Sequence, residues 1–350
     1  MSTGLLSLSP DSTIIAIYRY YSYTTCFISW VLAILLFYAI FKKSKEIGSF
    51  KWLLLNHTIW IITEESLATL VKPVILSPYF AGYQAGIFSK TGFKSTVIFG
   101  LLFMGIFSNA ITGIMMTIFN RYTVLFPSNW QRIFKRKSAI FAIVGFHVIY
   151  HLVCFVYFFP LLNYSSDYFY TEAINQDPEF LHFMNESTFF FVSRKNYSLA
   201  FHLFLVAYIA LYFGCLSLIG IFFRQLRKNH QAHYITDEIQ RSLIVTALVQ
   251  LFTTSFFAIG IPITFLVLMI FEVKNTATVC IVIVVLEFAY CPCDIAASLY
   301  FVAPYRRFVV EIIFRRKKKH ATTRIPAVSS QSQVAHNSNI LRKPVNNHHR

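Results

Sequence analysis

Apolar stretches long enough to cross a membrane recur along the chain. A hydrocarbon core of roughly 30 Å takes about 20 residues of helix to cross. Of 350 residues, 56% are hydrophobic and 13% charged, which is more apolar surface than one soluble core can hide. The sequence therefore predicts an all-α membrane protein, a seven-transmembrane helix bundle. The seven stretches are residues 22–41, 52–71, 95–119, 139–162, 199–223, 243–271 and 276–302.

The last of these stretches is the least regular. It contains Glu287, Asp294 and Pro292, all of which are unfavourable in a membrane helix. Without it the bundle would have six spans, and the C-terminus would lie on the opposite side of the membrane. The distribution of basic residues argues against that alternative.

Lysine and arginine concentrate on one side of the predicted spans. Of 31 such residues, 24 fall in the first, third and fifth connections and in the tail, and seven fall on the other side. Cytoplasmic connections carry the excess of basic residues, so the N-terminus is expected outside and the C-terminus inside. Because the charge lies in short clusters between apolar stretches, the net charge of +16 indicates topology and not a nucleic-acid partner.

Potential glycosylation sites support this orientation. Asn163, Asn185 and Asn196 each begin an Asn-X-Ser motif in the one connection that follows the fourth stretch. Such motifs are modified only on the lumenal side, which becomes the exterior. A fourth motif at Asn56 lies inside the second stretch and is not expected to be used.

The predicted organisation is an extracellular N-terminus (1–21), a receptor-like bundle (22–302), a membrane-surface basic helix (303–320) and a disordered cytoplasmic tail (321–350). Apolar residues at i, i+1, i+4 and i+5 form a stripe in the third segment, at Phe308, Val309, Ile312 and Ile313. The basic run 315–319 would face the anionic inner leaflet of the lipid bilayer.

Three acidic residues within the stretches are candidates for function, since a buried charge is costly. Glu64 and Glu65 lie past the midplane toward the outside, and as neighbours on a helix they cannot point the same way. Glu287 lies near mid-depth. Each acid could be a protonated group bonded between helices or a contact for a cationic or hydrogen-donating ligand. We expect at least one of them to contribute to ligand response.

Prolines and aromatic residues suggest a lever and an apolar pocket. Pro262 and Pro292 are expected to kink the sixth and seventh spans. Aromatic residues near Pro262 and in the third span could line a pocket, although in a chain with 38 Phe an aromatic residue more often faces lipid or the core. The candidate pocket residues are Glu64, Glu65, Phe103, Phe107, Phe257 and Glu287.

An enzyme is not indicated by the sequence. His147 and His151 have i, i+4 spacing that could hold a metal, but no second cluster of this kind accompanies them. We interpret the pair as an interhelical hydrogen-bonding feature. No catalytic residue, metal or cofactor is predicted.

Four short segments together resemble one receptor family. They are FNRYTVLFP at 119–127, SFKWLLL at 49–55, PYFAGYQAG at 78–86 and PYRRF at 304–308. In order and placement they are similar to nematode serpentine chemoreceptors of class H and the neighbouring class I. The resemblance implies a G-protein-coupled receptor in the plasma membrane of a chemosensory neuron, in its cilium. Its implied partners are a small-molecule odorant or other chemical cue and a heterotrimeric G protein.

Within that resemblance, Asn120, Arg121 and Tyr122 stand where related receptors carry Asp/Glu-Arg-Tyr, and they imply the contact with the G protein. Arg121 lacks the neighbouring acid, so Asp237 and Glu238 are its predicted partners at rest, unless they only solvate their loop. This pair would break as the sixth helix swings about Pro262, and Asp294 resembles an internal switch position. The chain also lacks the external cysteine pair and the Asn-Pro-X-X-Tyr motif of rhodopsin-like receptors.

Two rival functions follow from the same residues. A channel or transporter could use the intramembrane acids as an ion path, and it would carry current or flux without a G protein. A metal-dependent membrane enzyme would depend on His147 and His151.

Overall fold

Helices account for all the apolar stretches. The computed structural model describes residues 8, 10–43, 50–125, 137–230 and 238–313. In chain order the helices are α1 (Ser12–Lys43), α2 (Phe50–Val71), α3 (Phe93–Leu125), α4 (Lys137–Phe158), α5 (Ser166–Gln176), α6 (Arg194–His230), α7 (Glu238–Thr253), α8 (Ile261–Ile270), α9 (Ala277–Phe288), α10 (Tyr290–Phe301) and α11 (Ala303–Ile313).

Six helical segments within the described residues are long and apolar enough to cross a membrane. The last predicted span, formed by α9 and α10, is one of them, although the sequence made it the least regular. Of the seven predicted spans, α2 is the one that is not among these six, although its 22 residues reach about 33 Å. It is long enough to span, but Asn56, His57, Glu64 and Glu65 make it too polar to qualify. It packs against α1 and α3.

Two helical rods are interrupted next to their prolines. The rod formed by α7 and α8 contains a π-helical segment, Thr254–Gly260, where the Ile261 N–H donates to the Phe256 carbonyl five residues back. Pro262 follows in the first turn of α8. In the next rod, α9 ends at Phe288 and Pro292 lies in the first turn of α10. Proline lacks the amide hydrogen needed to continue the helical ladder, which explains both positions.

One end of the bundle carries a three-stranded antiparallel sheet, so the prediction of an all-α protein is wrong in this part. The strands are β1 (Pro73–Ile75), β2 (Phe80–Gln84) and β3 (Phe190–Val192), in the order β1-β2-β3. Gly82 and Gly86 permit the close packing, because a side chain at either one would collide with the carbonyl oxygen of Val74 or Leu70.

The connection from α4 to α6 folds over this sheet. It consists of a 3₁₀ turn (Phe159–Asn163), α5, a second 3₁₀ turn (Pro178–Phe183) and β3. The Ser165 side chain accepts from the Tyr168 N–H and caps α5, and Asp177 caps the second turn in the same way. Phe180, Phe189 and Phe191 are buried against the sheet in a small core of their own. We call β1–β3 together with residues 159–193 the sheet cap.

The opposite end of the bundle is closed by α11. Tyr305 and Phe308 are buried there, and the Phe308 ring stacks on Tyr38 of α1 at a centroid distance of 5.3 Å. At the sheet-cap end, α1 begins at Ser12, ten residues before the apolar stretch. The basic run 315–319 and the tail 321–350 lie outside the described residues.

Candidate functional site

A cavity of ≈ 390 Å³ lies beneath the sheet cap, among α2, α3, α6, α8 and α9. This volume falls in the range of small-molecule sites, which are typically concave, mostly apolar and largely preformed. Residues of all three strands cover it, including Val74, Phe80, Gln84 and Val192. Its position and its lining make it the candidate ligand site at this end of the bundle.

All three acids singled out by the sequence line this cavity. Glu64 and Glu287 reach it from α2 and α9, and they are close enough to interact electrostatically. Neither accepts a hydrogen bond from a described protein group. Glu65 turns toward Ser29 of α1 and Cys291 of α10, yet neither of its oxygens has a hydrogen bond of ordinary geometry.

The described lining contains no lysine, arginine or histidine to balance these acids. An unpaired carboxylate in apolar surroundings carries a penalty of several kcal/mol. The acids of the cavity are therefore either ionised, with no positive group in the described lining to balance them, or protonated and uncharged.

Aromatic side chains form much of the wall. The rings of Phe103 and Phe107 are nearly parallel, 12° apart, with centroids separated by 6.1 Å, and Tyr208 follows at 6.3 Å from Phe107. Pro262 and Phe265 also line the cavity. Thus Phe103, Phe107 and Pro262 join the acids in one site.

Phe257 does not join them. It is absent from the described lining, and its ring lies 6.4 Å from that of Tyr290. The π-helical segment explains this displacement, because it changes the direction in which successive side chains leave the helix.

Gln84 is a cavity residue that sequence reasoning missed. Its amide nitrogen donates to the hydroxyls of Ser95 at 3.3 Å and Thr96 at 2.9 Å. The Thr96 hydroxyl itself donates to the Thr188 carbonyl, so it can only accept from Gln84, and this fixes the amide orientation. The Gln84 carbonyl oxygen is left buried without a partner. The segment FAGYQ at 80–84 places aromatic residues three positions apart among small and polar ones, and this short pattern was the only sequence signal of a strand that would carry Gln84.

Asp294 lies deeper, in a polar network that joins four helices. Its carboxylate lies 3.2 Å from His57 Nε2 and accepts from Gln250 Nε2 at 3.1 Å. Gln250 also donates to Ser298 at 3.2 Å, and His57 Nδ1 donates to the Ala110 carbonyl at 3.1 Å. Both ring nitrogens of His57 therefore lie against oxygen atoms, one from α3 and one from α10.

The sequence identified Asp294 but not its partners. Gln250 and Ser298 are single polar residues within apolar spans, and nothing in their spacing predicts that they contact Asp294. Ser108 and Asn109 of α3 both donate to the Gly105 carbonyl of their own helix and not to a group of the network.

Arg121 lies at the end of the bundle opposite the sheet cap and is 1% exposed. Its guanidinium carbon is 4.5 Å from the centroid of the Phe50 ring, and none of its nitrogens bonds to a described group. Neighbouring Tyr122 packs edge-on against Phe222 at 5.4 Å, and the Asn120 carbonyl accepts from Thr123. Asp237 lies outside the described residues, as does the side chain of Glu238, so the pairing with Arg121 stays a prediction.

The histidine pair of α4 bonds within its own helix. His151 Nδ1 donates to the His147 carbonyl at 2.6 Å. This bond lies within α4, whereas the sequence predicted a bond between helices. Within the described part of the chain, no group of three or more His, Cys, Asp and Glu residues is arranged to hold a metal ion.

Comparison with known families decides what kind of bundle this is. The family model for the serpentine type 7TM GPCR chemoreceptor Srh matches residues 15–315. The chain belongs to the Srh family. Srh is class H, the first of the two classes that the sequence motifs resemble, and the matched region includes the cavity, the sheet cap, the polar network and Arg121. No curated protein matches the chain.

Proposed function

We propose that this Srh chain is a chemosensory receptor that binds a small environmental molecule in the cavity beneath the sheet cap and activates a heterotrimeric G protein. The observation that carries the proposal is the cavity, which is sized for a small ligand and lined by polar groups without partners. The family is one of chemoreceptors, so a ligand site of this kind is what its members need.

The proposed topology has seven spans, with α2, which is more polar than the six described segments that qualify by length and hydropathy, as the seventh. The sheet cap lies outside the cell and α11 inside, in the plasma membrane of a sensory cilium. The basic-residue distribution supports this orientation. So does the exposure of Asn163, Asn185 and Asn196, all within or next to the sheet cap.

Glycosidase treatment tests the orientation. It should shift the gel mobility of the expressed receptor, and replacing the three asparagines by glutamine should remove the shift. Antibody staining of a tag at Arg350 in intact cells would contradict the proposed topology.

Ligand binding would shift an existing equilibrium between two arrangements of the bundle. Tyr290 lines the cavity and its hydroxyl lies 3.4 Å from that of Thr254, and Asp294 follows one helical turn later. The polar network therefore lies between the cavity and the Arg121 end. We assign contact with the G protein to that end, through Arg121, Tyr122 and the basic internal connections.

Signalling in cells tests the coupling. The receptor is co-expressed with a promiscuous G protein and screened against volatile and water-soluble odorants. Arg121→Ala should abolish the response at normal surface expression, because it removes the buried guanidinium at the proposed contact. Arg194→Ala is the matched control, since Arg194 pairs with Glu272 at the sheet-cap end.

The predicted lock has its own test. Asp237→Asn combined with Glu238→Gln should raise ligand-free activity if these acids hold Arg121 at rest. An unchanged baseline would rule out the lock and leave the loop acids as solvated residues. Ligand-gated current in cells lacking the G protein would instead favour a channel.

A further inference from the structure

The cavity presents acceptors to its occupant at two levels. On the inner side are the carboxylates of Glu64 and Glu287, which reach the cavity from different helices. On the sheet-cap side is the Gln84 carbonyl oxygen, in a side chain that is 1% exposed. Buried polar atoms are nearly always hydrogen-bonded, so unpaired acceptors in the lining of a cavity call for a donor from outside the chain.

We propose that the ligand is a small protonated amine with an aromatic body and a second hydrogen-bond donor at its far end. The ammonium lies between Glu64 and Glu287, the ring lies among Phe103, Phe107 and Phe265, and the distal donor reaches Gln84. The inference rests on the proposed function, because it names the chemical class that the proposed ligand site accepts.

The ammonium matches the acids in both charge and geometry. It carries three N–H donors, enough to bond both carboxylates at once. Charge-assisted hydrogen bonds of this type are about twice as strong as neutral ones. An anionic ligand would add a further negative charge to a lining that contains three acids and, in its described part, no cation, so carboxylic acids are excluded.

The aromatic wall selects an organic cation. A metal ion takes several oxygen ligands, and the described residues contain no such group. Phe and Tyr faces attract an ammonium through their ring quadrupoles and also pack against an apolar body. The lining therefore suits a cation attached to a ring.

Gln84 adds the requirement for the second donor. Its orientation is fixed by Thr96, so the oxygen and not the amide nitrogen is the atom left without a partner in the cavity lining. A phenol or alcohol hydroxyl on the far side of the ring would satisfy it. The same ring without a hydroxyl would leave this oxygen unpaired, at a cost in affinity.

Thermal unfolding of the purified full-length receptor in detergent tests the proposal without any G protein. Four of the described cysteines are buried, so a thiol-reactive dye reports unfolding. Four compounds share one ring and chain length: 4-(2-aminoethyl)phenol, 2-phenylethylamine, 2-(4-hydroxyphenyl)ethanol and 4-hydroxyphenylacetic acid. The first should raise Tm by about 2 °C or more at saturation, the second should need a higher concentration, and the last two should have no effect.

Glu64→Gln and Glu287→Gln should each raise the half-maximal concentration of the amine at least tenfold, since each removes one charged acceptor. Gln84→Met should remove the advantage of the phenol over 2-phenylethylamine. Glu172→Gln is the matched control, because Glu172 lies in α5 away from the cavity lining and its loss should change nothing.

An equal Tm rise with the alcohol, or none with either amine, would overturn the proposal. A wild-type response in both glutamate variants would do the same. Failure of the receptor to signal while the amine still raises Tm would count against the G-protein coupling alone. Signalling by a neutral ligand with no amine effect on Tm would count against the amine alone.

Discussion

Buried acids occur in two settings in this bundle, and their surroundings differ. Both oxygens of Asp294 have partners, in His57 and Gln250. Glu64, Glu65 and Glu287 have none among the described groups, and they line the one cavity beneath the sheet cap. A carboxylate already bonded by the protein holds helices together. A carboxylate left unbonded at a cavity is available to a ligand, so the partners of an acid indicate its role better than its depth does.

The largest expected effect follows from removing the satisfied acid. Asp294→Ala leaves His57 and Gln250 buried without their partner, so the free energy of unfolding should fall by about 3–5 kcal/mol. Thermal unfolding in detergent and surface expression measure the loss. The double variant with His57→Ala should lose less than the sum of the two single losses, because the residues act as a pair. Strictly additive losses would show that the network is not a unit.

A smaller loss is expected at the sheet cap. Gly86→Ala places a methyl group against the Leu70 and Val71 carbonyls, so the strands must shift, and the free energy of unfolding should fall by about 1–3 kcal/mol. Because these strands cover the cavity, ligand potency should fall as well. Gly145→Ala is the matched control: a side chain there meets no atom within 4 Å, and alanine favours a helix. Equal effects at the two glycines would mean that the cap does not enclose the ligand.

A pH effect is expected from a buried cation that is turned away from the cavity. Lys72 donates to the Arg19 carbonyl and the Ser22 hydroxyl, and burial, aided by the charge of Arg19, lowers its pKa to about 8. An unfolded lysine keeps a pKa of about 10.4, so between pH ~8 and ~10.4 the unfolded chain binds more protons. Stability should therefore rise with pH in that window.

Lys72→Met should reduce this rise, measured as the difference in Tm between pH 7.5 and pH 9.5 in detergent. Lys90→Met, at an exposed lysine, should leave it intact. If the wild-type rise persisted in Lys72→Met, the lysine would not be desolvated in solution.

The smallest effect on stability is expected at the unbonded acids. Glu64→Gln and Glu287→Gln remove charges that no protein group compensates, so the free energy of unfolding should change by less than about 1 kcal/mol, or increase. The same unfolding assay, without ligand, measures it. A loss comparable to that of Asp294→Ala would remove the distinction between the two groups of acids.

Much of the bundle was predictable because bilayer thickness fixes helix length. Every predicted stretch coincides with helix in the described residues. The sheet cap was not predictable from local pattern, since β1 and β3 have three residues each and β2 pairs with a segment more than 100 residues later. Such short non-local strands leave little periodic signal.

For the candidate site, the sequence predicted how deep each side chain lies in the membrane, but only in part which way it points. Counting residues placed Glu64 and Glu287 at the level of a ligand, and the structure brings them to one cavity. Phe257 was predicted because it lies near Pro262 in the sequence, but it falls within the π-helical segment, which changes the direction of its side chain. The partners of Asp294 depend on how the helices face one another, which the period within a single helix does not determine.

The π-helical segment before Pro262 has a further consequence. A π turn holds one residue more than an α-helical turn. It therefore changes the direction in which every later side chain leaves the helix. Replacing it by ordinary α-helical turns would exchange a few backbone hydrogen bonds and turn the part of the helix beyond it by up to about 100°. Gln250 lies before this segment and Phe265 lies after it, so such a change would rotate the cavity wall relative to the polar network.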